Sequence, residues 1–356
     1  KLSNIKAFIF DWDGVFNSGD KQANGGSSFS EVDSMGTNLL RYSFFLKNNR
    51  LPICGIISGE KNESAFYMST KALMHETNNE LYTFNFCNNC EAVFLTNPVN
   101  QERLDHYYTD NYLPYRGSAA WGKYSSFVAN NQKKLDLNRV NFVKKYLKKN
   151  NLNVLDVGCG NPSFLELLQQ NSKVNCTGID FSDSGWKGKK FPNLELKKIA
   201  IEDYVSDKQF DIITLWHYLE HDYNPSQTIE TLYNCLKSGG KLIIEVPDYN
   251  SISAKIQKSN WQGWHSPRHI SLPTKKSFDL LFQKDKWKIK KHLRYGTLDA
   301  FTLWWLGSMQ KKGIDWSGSM SNHFWMLVLL KMVTFPIFAF EKLFPMGIQI
   351  VVVEKK

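Results

Sequence analysis

Short apolar runs, each ended by glycine or polar residues, recur along the second half of the chain. Residues 154–157 predict a short buried strand, and Gly158 and Gly160 end it. Phenylalanine and leucine then recur at helical spacing over residues 164–168. A strand, a glycine turn and a helix in this order are typical of the start of a doubly wound α/β unit, in which the backbone can approach a ligand closely. An ordinary tight turn is the alternative.

Three further apolar runs predict more strands of a parallel sheet. One ends at Asp180, roughly twenty residues after the glycines, where a carboxylate can accept hydrogen bonds from both hydroxyls of a ribose. The next covers residues 210–215 and precedes a polar and aromatic turn, and the last is entered through Gly239 and Gly240. The pattern therefore predicts an α/β, doubly wound fold.

Together these elements resemble the class I S-adenosylmethionine-dependent methyltransferases, from about residue 81 to the C-terminus. The resemblance implies a Rossmann-like sheet within a methyltransferase domain at 131–356 and an aromatic, cysteine-containing cap at 76–130. It also implies S-adenosylmethionine as the cofactor. Where the family has a third glycine this chain has Pro162, which suits the first turn of a helix. The residues that the resemblance assigns to cofactor binding are Asp156, Gly158, Cys159, Gly160, Asp180, Phe181, Glu202, Asp203 and Trp216.

Within that set the expected contacts differ. Asp180 is expected to hold the ribose, the backbone of Gly158 to Gly160 to contact the amino-acid portion, and Glu202 or Asp203 to approach the adenine amine. A methyl group on sulfonium is already activated, so transfer needs mainly alignment, and a base if the acceptor is a hydroxyl.

Histidines supply the candidate bases because they titrate near neutral pH. His217 and His221 follow the strand at 210–215, and His265 lies in the stretch WQGWHSPRHISLP. Arg268 and His269 of the same stretch are expected to bind the substrate. For each histidine, a hydrogen-bonded structural role is the open alternative.

The N-terminal segment, residues 1–75, has a different pattern. An apolar run ends at Asp11, and Asp13 follows two residues later. The segment resembles the haloacid dehalogenase superfamily, in particular the phosphatases of 3-deoxy-octulosonate 8-phosphate and acylneuraminate 9-phosphate. The resemblance implies a nucleophile and a general acid at the two aspartates, Mg²⁺ between them and the phosphate, and a phosphate-binding hydroxyl at Ser58.

The superfamily's later lysine and acidic pair do not follow before methyltransferase-like sequence begins. We therefore expect a partial, inactive HAD-like segment, with adjacent parallel strands at 5–11 and 52–57 and a helix near 35–48. A structural turn capped by the aspartates is the alternative. Cys87 and Cys90 resemble half of a zinc ribbon, but a structural zinc site needs four ligands, so we expect no metal there.

Two other segments are predicted from their periodicity. Val140, Val143, Tyr146 and Leu147 form one face of a predicted helix, with lysines on the other face. Residues 287–296 and 348–356 predict the last two strands of the sheet, and the apolar insertion at about 299–346 lies between them.

That insertion approaches the length of a membrane span but contains Lys331 and Pro336. A single crossing is excluded because both flanking strands must join one sheet. A helical hairpin on a membrane surface, a lid over an apolar pocket, a dimer interface and plain core packing remain open. Residue types typical of membrane interfaces occur in it, namely Trp304, Trp305, Trp325, Lys311, Lys312 and Lys331.

The composition of the chain indicates which classes of partner and which compartment to expect. The 356 residues carry a net charge of +10, which favours anionic partners, and the lysines of the predicted helix indicate a solvated face rather than a nucleic-acid site. Six scattered cysteines favour a reducing compartment, so a cytoplasmic location is expected, with a peripheral position at the inner face of the membrane as the open alternative. No Asn-Pro-Pro-Tyr motif is present, which favours oxygen or carbon acceptors.

These observations predict methylation of a sugar, glycan or lipid-linked intermediate in surface-carbohydrate biosynthesis. The first alternative is methylation of a small lipid or quinone-like phenol. The second is phosphosugar hydrolysis by Asp11 and Asp13.

Overall fold

A computed structural model describes residues 64–74, 80–100, 103, 105–108 and 113–356, together with the backbone of two strands nearer the N-terminus. The chain divides into two compact units, Lys1–Ser64 and Ala65–Lys356. In the first unit β1 (Ala7–Asp11) and β2 (Ile53–Ile57) pair in parallel, which confirms the predicted pairing. The predicted helix near 35–48, Asp13, Ser58 and the Asp11 side chain lie outside the described residues.

The second unit contains two sheets and the helices that cover them. Its strands are β3 (Ser64–Lys71), β4 (Leu81–Cys87), β5 (Val93–Leu95), β6 (Leu152–Val157), β7 (Val174–Asp180), β8 (Leu194–Lys198), β9 (Phe210–Trp216), β10 (Leu236–Pro247), β11 (Ser271–Leu272), β12 (Trp287–Leu293) and β13 (Ile348–Lys355). Its α-helices are α1 (Leu113–Arg116), α2 (Ser125–Lys144), α3 (Ser163–Asn171), α4 (Pro225–Cys235), α5 (Ile252–Gln257), α6 (Lys275–Leu281), α7 (Ala300–Lys312) and α8 (Phe324–Phe338).

The larger sheet has seven strands in the order β12-β13-β10-β9-β6-β7-β8. Every pairing is parallel except the two made by β13, which is antiparallel to both β10 and β12. Ile212 and Ile243 pack into the core on one face, and Ile213 and Leu242 pack into the core on the other. Burial on both faces explains why these strands read as continuous apolar runs. The predicted α/β, Rossmann-like fold is confirmed, with a mixed sheet.

Topology brings one edge of this sheet together with the apolar segment. Because β10 and β12 both run antiparallel to β13, they run in the same direction as the other strands. Their carboxyl ends therefore meet at one edge, where the amino end of β13 also lies. The chain between β12 and β13, which includes α7 and α8, must begin and end at that edge.

A second sheet, with four strands in the order β11-β5-β4-β3, was not predicted. Its β11 belongs to the segment that follows residue 260, and Ser271 pairs with Phe94 of β5. Trp261 and Trp264 of the same segment are buried against Tyr82 and Phe84. The stretch WQGWHSPRHISLP thus links the cap sheet to the rest of the unit.

The structure differs from the sequence analysis in three places. β8 was not predicted, because its residues are half-buried and mostly polar (Leu194–Lys198, LELKK). Helix α2 ends at Lys144, so Tyr146 and Leu147 lie beyond it, although both still pack against the core. Gly239 lies within β10 rather than before it. It has a positive φ of 74°, and the β9–β10 register shifts there, between Leu236 and Lys241.

Candidate active site

The glycine turn after β6 is held by backbone hydrogen bonds to β7. The N–H groups of Gly158 and Cys159 both donate to the carbonyl of Ile179, at 2.9 and 3.1 Å. The N–H of Gly160 donates to Oδ2 of Asp180 at 2.9 Å. Gly158 and Gly160 have φ angles of 70° and 48°, which side chains with a Cβ rarely adopt. The turn therefore requires both glycines, and it places Gly160 beside Asp180.

Gly160, Asp180 and Phe181 line a cavity of about 1620 Å³. Helix α2 and the aromatic segment before it form another wall. The segment between β12 and β13 forms the opposite side, through residues of α7, α8 and the loops around them. The α8 side chains that line the cavity are Leu327, Lys331, Thr334, Phe335 and Phe338.

The residues at the glycine end of this cavity fit S-adenosylmethionine. No atom of the described residues lies within 4 Å of the position that a Cβ would take at Gly160, so the backbone there is open to a ligand. The Asp180 carboxylate accepts from the N–H groups of Gly160 and Ser182, and further lone pairs remain for ribose hydroxyls. Burial is the largest influence on Asp180 and raises the pKa of its carboxyl. Phe181 is 64% exposed and offers a flat ring for an adenine.

Three residues assigned to cofactor binding lie beneath the turn and do not line the cavity. Asp156 is buried, accepts a hydrogen bond from the Thr214 hydroxyl at 2.6 Å, and has its pKa raised by burial to about 7. The Cys159 side chain is buried and packs against β7. The Trp216 ring is buried and packs edge-on against Phe164 at 5.6 Å. These side chains support the turn instead of contacting the cavity.

Gly158, Glu202 and Asp203 also lie outside the cavity lining. The ring of Tyr218 covers Gly158, since a Cβ there would lie 2.5 Å from Cδ2 of that ring. Glu202 and Asp203 are exposed in the 3-10 turn Ile201–Asp203, which follows β8. Their contact with an adenine amine stays a prediction.

His217 lies between two buried carboxylates. Its Nδ1 is 3.1 Å from Oε1 of Glu220, and its Nε2 is 3.1 Å from Oε1 of Glu245. Burial lowers the pKa of His217, but the two carboxylates outweigh burial and raise that pKa to about 9. With a carboxylate at each ring nitrogen, His217 is an imidazolium that holds the turn after β9. This geometry argues against the predicted role as a base.

His265 and His269 are buried and His221 is half-buried, and none of the three is among the residues that line the cavity. The His221 and His269 rings lie 4.6 Å apart, and His265 and His269 lie 5.0 Å apart. Burial lowers the pKa of His221 and lowers those of His265 and His269 well below the ordinary histidine value. His221 reaches the cavity wall through its 3.4 Å contact with the Tyr108 hydroxyl.

Arg268, predicted to bind substrate, has a structural role instead. Its side chain is buried, and its guanidinium donates to the carbonyls of Leu73 and Tyr107 at 2.8 and 2.9 Å. These bonds fasten the stretch before β11 to the cap. His269 is buried as well, and its Nδ1 is 2.8 Å from the Gly263 carbonyl.

Sequence reasoning missed several residues that line the cavity. Asp136 of α2 accepts from the Ser163 hydroxyl at 2.7 Å and so ties α2 to the helix after the glycine turn. Glu341 lies near Asp299, and burial followed by the charge of Asp299 raises the pKa of Glu341 to about 7. The sequence does contain a signal for both residues, because each is an acidic residue isolated from others. Asp136 is the acidic residue of a basic helix, and Glu341 lies within an apolar run.

Comparison with known proteins supports a methyltransferase as the class of protein that this cavity indicates. Residues 127–291 match a family described as a methyltransferase domain. The ubiquinone biosynthesis O-methyltransferase of Pseudomonas entomophila is 30% identical over 120 residues, 32% of this chain and 51% of that protein. That of Saccharophagus degradans is 29% identical over 125 residues, 32% of this chain and 52% of that protein. The chain spans about half the length of these relatives.

Solved structures of methyltransferases are similar to this chain only at a low level. Coclaurine N-methyltransferase, bound to N-methylheliamine and S-adenosylhomocysteine, is 16% identical with a TM-score of 0.43, covering 62% of this chain and 72% of that chain. The N-methyltransferase NodS of Bradyrhizobium japonicum is 11% identical with a TM-score of 0.36, covering 62% of this chain and 87% of that chain. Residues 127–291 therefore form a methyltransferase domain, and the glycine end of the cavity is where the residues fit S-adenosylmethionine.

Substitution of Gly160 by alanine tests the cofactor end of the cavity. A Cβ at Gly160 would project into open space at the ligand position, so we expect Gly160→Ala to weaken S-adenosylmethionine binding by about tenfold or more, measured by calorimetry. Gly313→Ala is the matched control, because Gly313 also has a positive φ, 65°, with nothing within 4 Å. Equal affinity in both variants would contradict the assignment.

Proposed function

We propose that this methyltransferase domain transfers the methyl group of S-adenosylmethionine to an oxygen of a lipid-linked sugar or glycan intermediate. One observation carries the proposal, namely that the glycine turn and the apolar helices α7 and α8 line the same cavity. A cavity with polar groups at the cofactor end and apolar helices opposite suits an acceptor with a long apolar portion.

Helix α8 supports an approach of that acceptor from a membrane. Leu327, Lys331, Thr334 and Phe338 are spaced by three or four residues, so they share the face that lines the cavity. On the opposite face the side chains of Trp325, Leu329 and Met332 are 68%, 57% and 63% exposed. A helix that is apolar on its solvent side is typical of a surface that contacts lipid.

The membrane residues suggested by the sequence divide into two groups. Trp325 is exposed, whereas Trp305 is buried and packs against Trp121 at 5.4 Å. Lys331 is paired with Asp299 at 2.7 Å, while Lys311 and Lys312 remain exposed. Trp325 and the two lysines at the end of α7 are therefore the proposed lipid contacts.

A peripheral location fits better than a crossing. Within the described residues, the stretch Met320–Phe338 is long and apolar enough to span a membrane, with 11% of its most apolar window buried. However, the flanking strands β12 and β13 pair in one sheet, so a single crossing cannot occur. We therefore propose a cytoplasmic protein that lies against the inner face of the membrane.

The cofactor supplies an activated methyl group, and the residues of this chain align the acceptor and accept its proton. Glu341 is the candidate base, because it lines the cavity and its pKa of about 7 leaves a large deprotonated fraction at neutral pH. Asp180 and Gly160 hold the cofactor end. The apolar residues of α7 and α8 exclude water from the acceptor end.

A quinone-like phenol is the second candidate acceptor. The relatives named ubiquinone biosynthesis O-methyltransferases favour it, and a prenylated phenol also carries an apolar tail. Both candidates share the apolar portion and differ in the oxygen that is methylated.

Acceptor specificity tests the proposal directly. The full chain is incubated with methyl-labelled S-adenosylmethionine and a polyprenyl-diphosphate sugar, a prenylated catechol or a water-soluble sugar nucleotide. We expect label in the polyprenyl-linked sugar. Label in the catechol alone would support the second candidate, and label in the sugar nucleotide without any polyprenyl requirement would contradict an apolar acceptor.

Glu341→Gln tests the base. We expect the wild-type rate to rise with pH through about 7 and then to level, because the carboxylate must be deprotonated. The variant should lose this rise and should be slower by about 10²- to 10⁴-fold. Glu230→Gln, on an exposed part of α4, is the matched control. A variant that keeps both the rate and the rise would exclude Glu341 as the base.

Flotation with vesicles of phosphatidylcholine and phosphatidylglycerol at low salt tests the lipid surface. We expect the triple variant Trp325→Ser, Leu329→Ser, Met332→Ser to lower the bound fraction at least about tenfold, because it removes exposed apolar area. The control variant Val205→Ser, Ile256→Ser, Leu280→Ser changes three apolar residues elsewhere that are also more than half exposed. A full chain that fails to float, or equal loss in both variants, would contradict the proposal.

A further inference from the structure

Three potential metal ligands converge behind the cavity wall. Glu220 and His221 belong to the 3-10 turn Leu219–His221 that follows β9, and His269 lies two residues before β11. One ligand atom of each lies within 4.8 Å of the other two. Nε2 of His269 is 3.9 Å from Oε1 of Glu220. Glu220 is completely buried and His269 is 6% exposed, so the ligand atoms face one another inside the protein.

Backbone carbonyls orient both rings. Nδ1 of His221 is 3.1 Å from the Arg268 carbonyl, and Nδ1 of His269 is 2.8 Å from the Gly263 carbonyl. A carbonyl oxygen accepts and does not donate, so each Nδ1 carries the hydrogen and each Nε2 keeps its lone pair. Histidines that bind metals are oriented in this way, with the second nitrogen donating to a carbonyl or carboxylate.

The carboxylate provides an independent observation. Oε1 of Glu220 is paired with His217, but its Oε2 is buried and has no hydrogen-bond partner among the residues that the structure describes. Buried polar atoms are nearly always partnered, by protein, water or an ion. A buried carboxylate with one unpartnered oxygen, whose other oxygen lies 3.9 Å from Nε2 of His269, indicates that a cation belongs there.

We propose that Glu220, His221 and His269 bind a divalent transition-metal ion, for which zinc is the best match. Two imidazoles and one carboxylate suit zinc and related ions rather than Mg²⁺. Zinc ligands lie about 2.0–2.2 Å from the ion, so binding would draw these atoms together by roughly 1 Å. Three protein ligands leave a fourth position open for a water or a substrate oxygen.

The proposed metal site lies between the large sheet and the cap sheet. Glu220 and His221 follow a strand of the large sheet, whereas His269 leads into β11 of the cap sheet. The Ile270 N–H already donates to the Glu220 carbonyl at 2.6 Å. A bound ion would fasten the cap sheet to the cofactor edge, beside Tyr108 of the cavity wall. This inference does not depend on the identity of the methyl acceptor.

Metal analysis of the full chain tests the site. We expect about one zinc per chain by mass spectrometry, removal by EDTA with a lower melting temperature, and recovery on titration with ZnCl₂ but not MgCl₂. Glu220→Gln and His269→Gln should each weaken zinc binding on the order of 100-fold. If a buried variant fails to fold, His221→Gln, at the partly exposed ligand, gives the same test.

Matched controls separate this site from other zinc ligands. His323→Gln removes a histidine far along the chain, and Cys87→Ser with Cys90→Ser removes the cysteine pair; both variants should bind zinc as the wild type does. Zinc lost with the cysteines and retained in Glu220→Gln would overturn the proposal, as would a wild-type chain that binds no zinc. S-adenosylmethionine affinity, measured with and without zinc, reports separately on the methyltransferase assignment.

Discussion

The reversed strand β13 is the constraint on which the rest of the second unit depends. It lies between β10 and β12 and is antiparallel to both, so β12 ends at the same edge as β6 and β7. The connection from β12 to β13 must leave and return at that edge. Helices α7 and α8 therefore lie over the glycine turn, and the cavity forms between the turn and these helices. An apolar segment that joined the amino ends of these strands would lie at the opposite edge of the sheet, away from the glycine turn.

A buried cluster of one histidine and two carboxylates stabilises the same edge of the sheet. His217 follows β9 directly and contacts Glu220 and Glu245, both completely buried. Two buried carboxylates would be costly without a cation, and His217 provides it. Glu245 also accepts from the Thr297 N–H and hydroxyl, which anchors the start of the α7–α8 segment. The histidines thus have structural roles where a base was expected, and Glu341 is one of the acidic residues that line the cavity.

Local patterns predicted the sheet well. The glycine turn, the strand ending at Asp180 and the last two strands depend on apolar runs and on glycine, whose effects act over a few residues. β8 and the cap sheet were not predicted, because β8 is half-buried and polar and β11 is two residues long. Such strands exist only because neighbouring strands offer them hydrogen bonds, and a sequence window contains no information on those neighbours.

By itself the sequence determined the class of fold, the cofactor and the position of Gly160, Asp180 and Phe181 at the cavity. The sheet and its ligand edge follow from spacing, since a residue that ends a parallel strand lies at that edge. The cofactor and the residues assigned to it follow from the resemblance to class I methyltransferases. Only the tertiary structure decided which side chains point into the cavity. The sequence places Asp156, Trp216 and the histidines at the ligand edge. Asp156 instead accepts from the Thr214 hydroxyl and Trp216 packs against Phe164. A carboxylate holds His217 and a carbonyl holds His269. Glu341, distant in sequence, reaches the cavity because β13 returns the chain to that edge.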